Sequence, residues 1–376
     1  MPEPVVQRGP RPMRILAIGI GAETQDILLF DTRAPVESSV KMVMPSATEI
    51  AARRIRRATQ ERRPVLLTGV TMGSGPCHWA LAAHLAQDLR AFATERAART
   101  FDDDLTVVRA MGVTVVSEDE AASLRGVERI EMRDLDLVAI RSALAAFEAP
   151  TQFDGLAIGC LDHGSPPPGV SDRMFRFEHM RRMVRKGSDL HAFALLADEV
   201  PEYLTRARSM LACRDADVPT VFVDSGVAAA LGALWDPRVR EHDEQLILHL
   251  GNMHALALHT SGTRIHGLFE HHTDILSGPE IESLAERFLQ GELTHEEVFA
   301  HHGHGVYYTD NVTTREAFVA VTGPQRGKLR GSRLKPYVAT PLGDTMISGC
   351  LGLLDAFAAR FPNAREEIEA ALSTAC

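Results

Sequence analysis

The chain has 376 residues, 45 % of them apolar and 24 % charged, and a net charge of −10. That length exceeds one ordinary hydrophobic core and points to two domains. The acidic balance excludes the basic footprint of a general nucleic-acid binder and argues against an anionic membrane surface as partner. No run of about 20 apolar residues occurs, so nothing is expected to span a membrane. Cys77, Cys160, Cys213, Cys350 and Cys376 are few and odd in number, which fits reduced thiols in a cytoplasmic protein better than a disulfide framework. Oligomeric state is not legible.

Residues 1–12 read as a loose arm, and the apolar run Ile15 to Ile20 is too short for a signal sequence. Arg14 to Gly21 is an apolar strand ending in glycines. Gln25 to Asp31 returns beside it, and Ser38 to Met44 makes a third strand. Ser46 followed by Glu49 is a capping-box pattern that opens a helix to about Gln60. Val65 to Gly69 reads as a strand, and apolar spacing from Trp79 to Phe92 predicts a helix over 78–95. Further strands are predicted at 113–116, 129–132, 155–160 and 219–223. Helices are predicted at 136–148, 172–185, 189–198 and 201–212.

The opening pattern then returns. Gln245 to Gly251 is an apolar strand ending in glycine, His254 to His259 returns, and Thr263 to Phe269 is the third. Helices at 279–290 and 294–300 follow, then a strand from Phe318 to Thr322 and a helix leading to Arg360. Both halves read β-β-β-α-β-α, a weak internal repeat.

Three segments resemble the actin, heat-shock chaperone and sugar-kinase superfamily. Ile18 to Asp26 and Leu248 to His254 resemble its two phosphate hairpins. Asp224 to Leu234 resembles its small-residue connecting helix, with Gly343 to Leu354 as partner. The resemblance implies a two-lobed α/β fold, two ribonuclease-H-like domains around a cleft. The lobes would be 1–235, with an inserted segment at about 100–215, and 236–376, with the 343–360 helix packing back at the hinge. More narrowly, nearly the whole chain resembles an uncharacterised prokaryotic family labelled "putative pyruvate formate-lyase activating enzyme". The runs that carry this are Thr24–Asp31, Thr68–Pro76, Gly159–Gly164, Gly267–Thr273, Gly303–Gly305 and Val321–Pro324. A radical activase needs three closely spaced cysteines for its iron–sulfur cluster, and this chain has no such trio.

The superfamily resemblance implies nucleotide binding, ATP with magnesium, and a phosphotransferase or ATP-dependent activator. Gly21, Thr24, Gln25 and Asp26 would form the first phosphate clamp, and Gly251, Asn252 and His254 the second. Thr322, Gly323 and Arg326 would meet the adenosine. The basic loop from Arg326 to Lys335 would suit a small anionic substrate or partner protein. The superfamily's hairpin aspartates are replaced by Gly19 and His249, which removes the oxygen ligands magnesium prefers.

The residues also allow other chemistry. Asp162, His163, His271, His272 and His304 are candidate ligands for zinc, iron or nickel. Adjacent histidines on a strand face opposite ways, so His271 and His272 cannot chelate together. Asp162, His163 and Asp224 are candidate catalytic groups, with His163 as general base. The competing reading makes Asp162 a structural turn residue. Cys77 reads as a buried residue at a helix start, and Arg173 to Lys186 as an exposed basic helix face. A metal-dependent enzyme and a non-catalytic ligand-binding module stand as alternatives to the nucleotide reading.

Overall fold

The computed structural model describes residues 12–309 and 316–373. The expected arm, all but Pro12, and Cys376 lie outside the described residues. In chain order β1 to β3 are Arg14–Ile20, Thr24–Asp31 and Val40–Pro45. β4 to β7 are Val65–Gly69, Ala91–Thr94, Val113–Val116 and Glu128–Met132. β8 to β10 are Gly155–Cys160, Leu195–Leu196 and Thr220–Asp224. β11 to β13 are Gln245–Leu250, His254–Ser261 and Arg264–His272, and β14 to β16 are Gly305–Tyr308, Phe318–Thr322 and Tyr337–Val338.

The first sheet has the order β3-β2-β1-β8-β10-β9 and the second β14-β13-β12-β11-β15-β16. In the first, β1, β2 and β3 form an antiparallel meander, and β8 and β10 continue it in parallel. In the second, β11, β12 and β13 repeat the meander, and β15 and β16 continue it in parallel. The protein is thus a duplicated mixed α/β fold of the actin and sugar-kinase type. Its hairpin turns repeat at atomic detail. Gly21 N–H donates to the Thr24 carbonyl and Gly251 N–H to the His254 carbonyl, both at 2.9 Å.

A third, all-parallel sheet, β6-β5-β4-β7, stands apart with its own core. It spans residues 65–132, whereas the sequence reading placed an insertion at about 100–215. Strands β8 and β10, which lie inside that range, belong to the first sheet. The excursion leaves after β3 and returns at β8, and its entry helix Ala47–Gln60 is capped by Ser46, which accepts from Glu49 N–H.

Two predicted helices are corrected. The helix expected at 78–95 is Gly75–Leu85, and Ala91–Thr94 is strand β5. Asp88 at φ +57° breaks the helix, and Ala91 and Ala93 are buried between β4 and β6. A run of small apolar residues carries no reliable period, so sheet burial decides it. The segment 189–198 is a short 3-10 turn, Leu190–Phe193, and the edge strand β9.

The helices Ser225–Ala233 and Ser348–Arg360 cross between the sheets. A Cβ on Gly232 would sit 1.6 Å from the Ser348 carbonyl oxygen, and one on Gly352 1.8 Å from that of Ala228. Only glycine permits this backbone contact. On the same helix, a Cβ on Gly349 would meet nothing within 4 Å. The 348–360 helix also lies on the first sheet, with Phe357 over Gly155 and Leu353 over Gly159.

Candidate functional site: a histidine-lined cleft

One cavity of about 650 Å³ lies at the carboxyl ends of β8 and β10, where the two hairpin turns approach. Open α/β sheets place ligands at such strand ends. The first hairpin contributes Gly21, and the second contributes His249, Gly251, Asn252, Met253 and His254. The excursion contributes the loop Thr71–Gly75. That loop is tied down by Asp134, which accepts from Gly73 N–H at 3.0 Å and from Arg206 Nε at 2.7 Å. Arg206 in turn donates to the Leu161 carbonyl.

The candidate carboxylates are committed to the scaffold. Asp162 accepts from Gly164 N–H at 2.8 Å and Ala207 N–H at 2.9 Å. Burial pushes its carboxyl up, against the lowering effect of those two bonds. Asp224 caps the 225–233 helix through Gly226 and Val227 N–H, and its other oxygen lies 2.7 Å from Arg176. Arg176 also pairs with Glu270 at 2.8 Å and donates to the Asp162 carbonyl. Arg176 is 1 % exposed, so the basic run Arg173 to Lys186 is not simply an exposed face. Such a buried cation is tolerable because two carboxylates and a carbonyl surround it.

The histidines behave in the opposite way. His163 follows β8, and His254 opens β12. His272 pairs across from His254 on β13, and His304 precedes β14. Strand alternation turns Glu270 and His272 to the cavity and His271 away from it. His271 instead meets His301, with nitrogens 3.3 Å apart. His163, His254 and His304 each offer a nitrogen within 4.8 Å of the others. His163 Nε2 and His304 Nε2 are 3.4 Å apart. The His272 ring centroid lies 4.7 Å from that of His304.

His304 reaches this position because its backbone N–H donates to the Glu270 carbonyl and glycines flank it. Gly305 has φ +150°, and a Cβ there would meet His295 at 2.2 Å. Arg173 fastens the same loop by donating to the Phe299 and Gly303 carbonyls. Burial is the main cause lowering the pKa of His163, to about 4, and of His254 and His304. The lowering favours the uncharged form of the three rings, which keeps a lone pair on one nitrogen of each. His254 Nε2 and His304 Nδ1 are buried without a hydrogen-bond partner. Leaving such an atom unpaired costs about 1–3 kcal/mol.

The remaining sequence candidates fall elsewhere. Thr24 is exposed, and Gln25 donates to the Pro45 carbonyl. Asp26 lies toward Asp344 and the 348–360 helix, its carboxyl pushed up to about 6 by burial and then by Asp344. Thr322 bonds His249 Nδ1 through its hydroxyl at 3.1 Å. Gly323 packs on the Leu250 backbone, and Arg326 donates to the Gly323 carbonyl, beside a separate surface groove. Cys77 is buried, and burial pushes its thiol up to about 12. Arg176 and Glu270 were missed by sequence reasoning. The signal was present, since Arg176 shares a helical face with Met180, Met183 and Val184.

The implied cofactors can be tested against these residues. Carboxylate-held magnesium does not fit, because Gly19 and His249 stand at the hairpin positions and Asp162 and Asp224 are committed. An iron–sulfur cluster does not fit either. The described cysteines are free, and the one metal-ligand group found among the described residues contains none of them.

The fold is a duplicated mixed α/β arrangement of the actin and sugar-kinase type, with the cleft at the strand ends. The chain belongs to the family described as "Putative pyruvate format-lyase activating enzyme (DUF1786)", whose model matches residues 72–328. No curated protein sequence matches the chain. Among solved structures it is similar to the Lmo2764 protein of Listeria monocytogenes, described as "a putative N-acetylmannosamine kinase". That alignment has 10 % identity, covers 93 % of this chain and 99 % of that one, and has a TM-score of 0.36. It is similar to the ethanolamine utilization protein EutJ from Carboxydothermus hydrogenoformans at 11 % identity, over 95 % and 90 % of the two chains, with a TM-score of 0.32. A ROK family transcriptional regulator, a homolog of the E. coli MLC protein, aligns at 8 % identity and a TM-score of 0.26. That match covers 67 % of this chain but only 37 % of the regulator. At these TM-scores the likeness carries no functional weight.

Among the described residues, no helix is long and apolar enough to cross a membrane.

Proposed function

We propose that the cleft binds a small phosphate-bearing ligand of the nucleotide class and that the protein acts there on an anionic substrate or partner. The observation that carries this reading is the meeting of Gly21 and Gly251, from two equivalent hairpins, on one cavity. Glycine turns let backbone N–H groups approach phosphate oxygens closely. A volume near 650 Å³ suits a ligand of that size. Magnesium held by the usual carboxylates is not part of the proposal. Of Asp162, His163 and Asp224, only His163 has a side chain not already tied to backbone N–H groups or to Arg176.

Thermal unfolding of the full chain with ATP, ADP and GTP, each with and without magnesium, tests the reading. Ligand at about 100 times its Kd stabilises by about 2.7 kcal/mol. A rise in Tm with one nucleotide supports it, and no rise with any of them at millimolar concentration refutes it.

The commitment of Asp162 and Asp224 favours a second reading, a ligand-binding module without turnover. Binding with no phosphate release over hours selects it, and multiple turnovers exclude it.

A further inference from the structure

We infer that His163, His254 and His304 form a binding site for one divalent transition-metal ion of the zinc class, with an open coordination position facing the cavity. The inference does not depend on the ligand being a nucleotide.

Three observations converge. First, the ligand atoms come from separate parts of the chain, one beyond β8 in the first lobe and two in the second, yet fall within 4.8 Å of one another. Second, the His163 and His304 Nε2 atoms, 3.4 Å apart and within reach of a shared proton, also stand at the spacing that an ion would require. Two nitrogens about 2.0–2.1 Å from a tetrahedral zinc are about 3.3 Å apart. Third, His304 is 0 % exposed, and beside it His254 buries an Nε2 that nothing in the described protein pairs. Buried polar atoms are almost always satisfied, so this orphan in the cluster calls for a partner.

The donor set narrows the ion. Three imidazoles without thiolate or free carboxylate suit zinc, cobalt, nickel or iron(II), and not magnesium or calcium. Three protein ligands with a fourth position open is the pattern of catalytic rather than structural zinc. Cavity solvent or an anionic ligand oxygen would take that position, where the ion supplies positive charge that the committed carboxylates do not.

The test uses tag-free full-length protein, stripped with chelator and titrated with Zn²⁺ and separately with Co²⁺, without nucleotide. One equivalent binding below about micromolar Kd is expected, with X-ray absorption showing imidazole ligands. His304→Ala and His254→Ala should each weaken binding at least about 100-fold, while exposed His302→Ala changes it less than about threefold. Circular dichroism and thermal unfolding of the stripped variants separate lost ligation from lost fold, and the wild-type absorption spectrum needs no variant. Substoichiometric retention of every ion tried, an oxygen-only shell, or undiminished affinity in both histidine variants overturns the inference. Because no nucleotide is present, its failure is distinct from failure of the phosphate-ligand reading.

Discussion

Two clusters share the cleft and differ in one respect. The Asp162, Asp224, Arg176 and Glu270 cluster is saturated, its carboxyl groups accepting from backbone N–H groups or the guanidinium. The His163, His254 and His304 cluster is unsaturated, neutral and partly unpaired. A saturated buried network holds a shape, whereas an unsaturated one is available to a ligand. The difference gives Asp162 and Asp224, expected as catalytic groups beside His163, a structural setting, and leaves the histidines available for the binding proposed above.

The sharpest way to break the comparison is Arg176→Ala. It would strand Asp224 and Glu270 as buried charges and should cost about 3–5 kcal/mol in denaturant unfolding. A loss under about 1 kcal/mol would show that the carboxylate cluster is not a structural lock.

Acid should weaken the protein through its neutral histidines. His249 has its pKa lowered to about 4, chiefly by burial, from an ordinary value of 6.5. Its contribution is therefore complete above pH 6.5 and lost as pH falls toward 4. That amounts to about 3 kcal/mol over the window. His249→Gln should flatten this part of the stability profile, and an unchanged slope would contradict it. His191 has the opposite sign. Burial alone would lower its pKa, but bonds to Asp189 and Asp355 outweigh that and hold it at about 9. Its contribution is complete below pH 6.5 and fades as pH rises through 9.

Gly232→Ala tests whether the lobes are joined by backbone contact. The added Cβ meets the Ser348 carbonyl and should cost about 1–3 kcal/mol. Unchanged stability would mean that the helices separate freely. The smallest effect expected is from Asp162→Asn, which keeps one acceptor oxygen and loses about 1 kcal/mol. It should leave metal stoichiometry unchanged, and loss of bound ion would move Asp162 from scaffold to ligand.

Much of the repeat was legible from local pattern. Apolar runs ending in Gly21 and Gly251, and the capping signal at Ser46, report on neighbours a few residues away. The alternation that separates His271 from His272 is likewise local. The boundaries of the excursion were less legible, because the 78–95 segment is apolar without a decisive period and only pairing with β4 and β6 makes part of it a strand.

The sequence by itself determined the two meanders, the glycine turns, the helix starts and the supply of histidines, since each follows from spacing over a few residues. Only the tertiary structure decided which of those residues meet. Residues 163, 254 and 304 are brought together by closure of two sheets around one cleft. Asp162 and Asp224 are taken out of play by N–H groups and an arginine whose approach depends on the packing of whole helices.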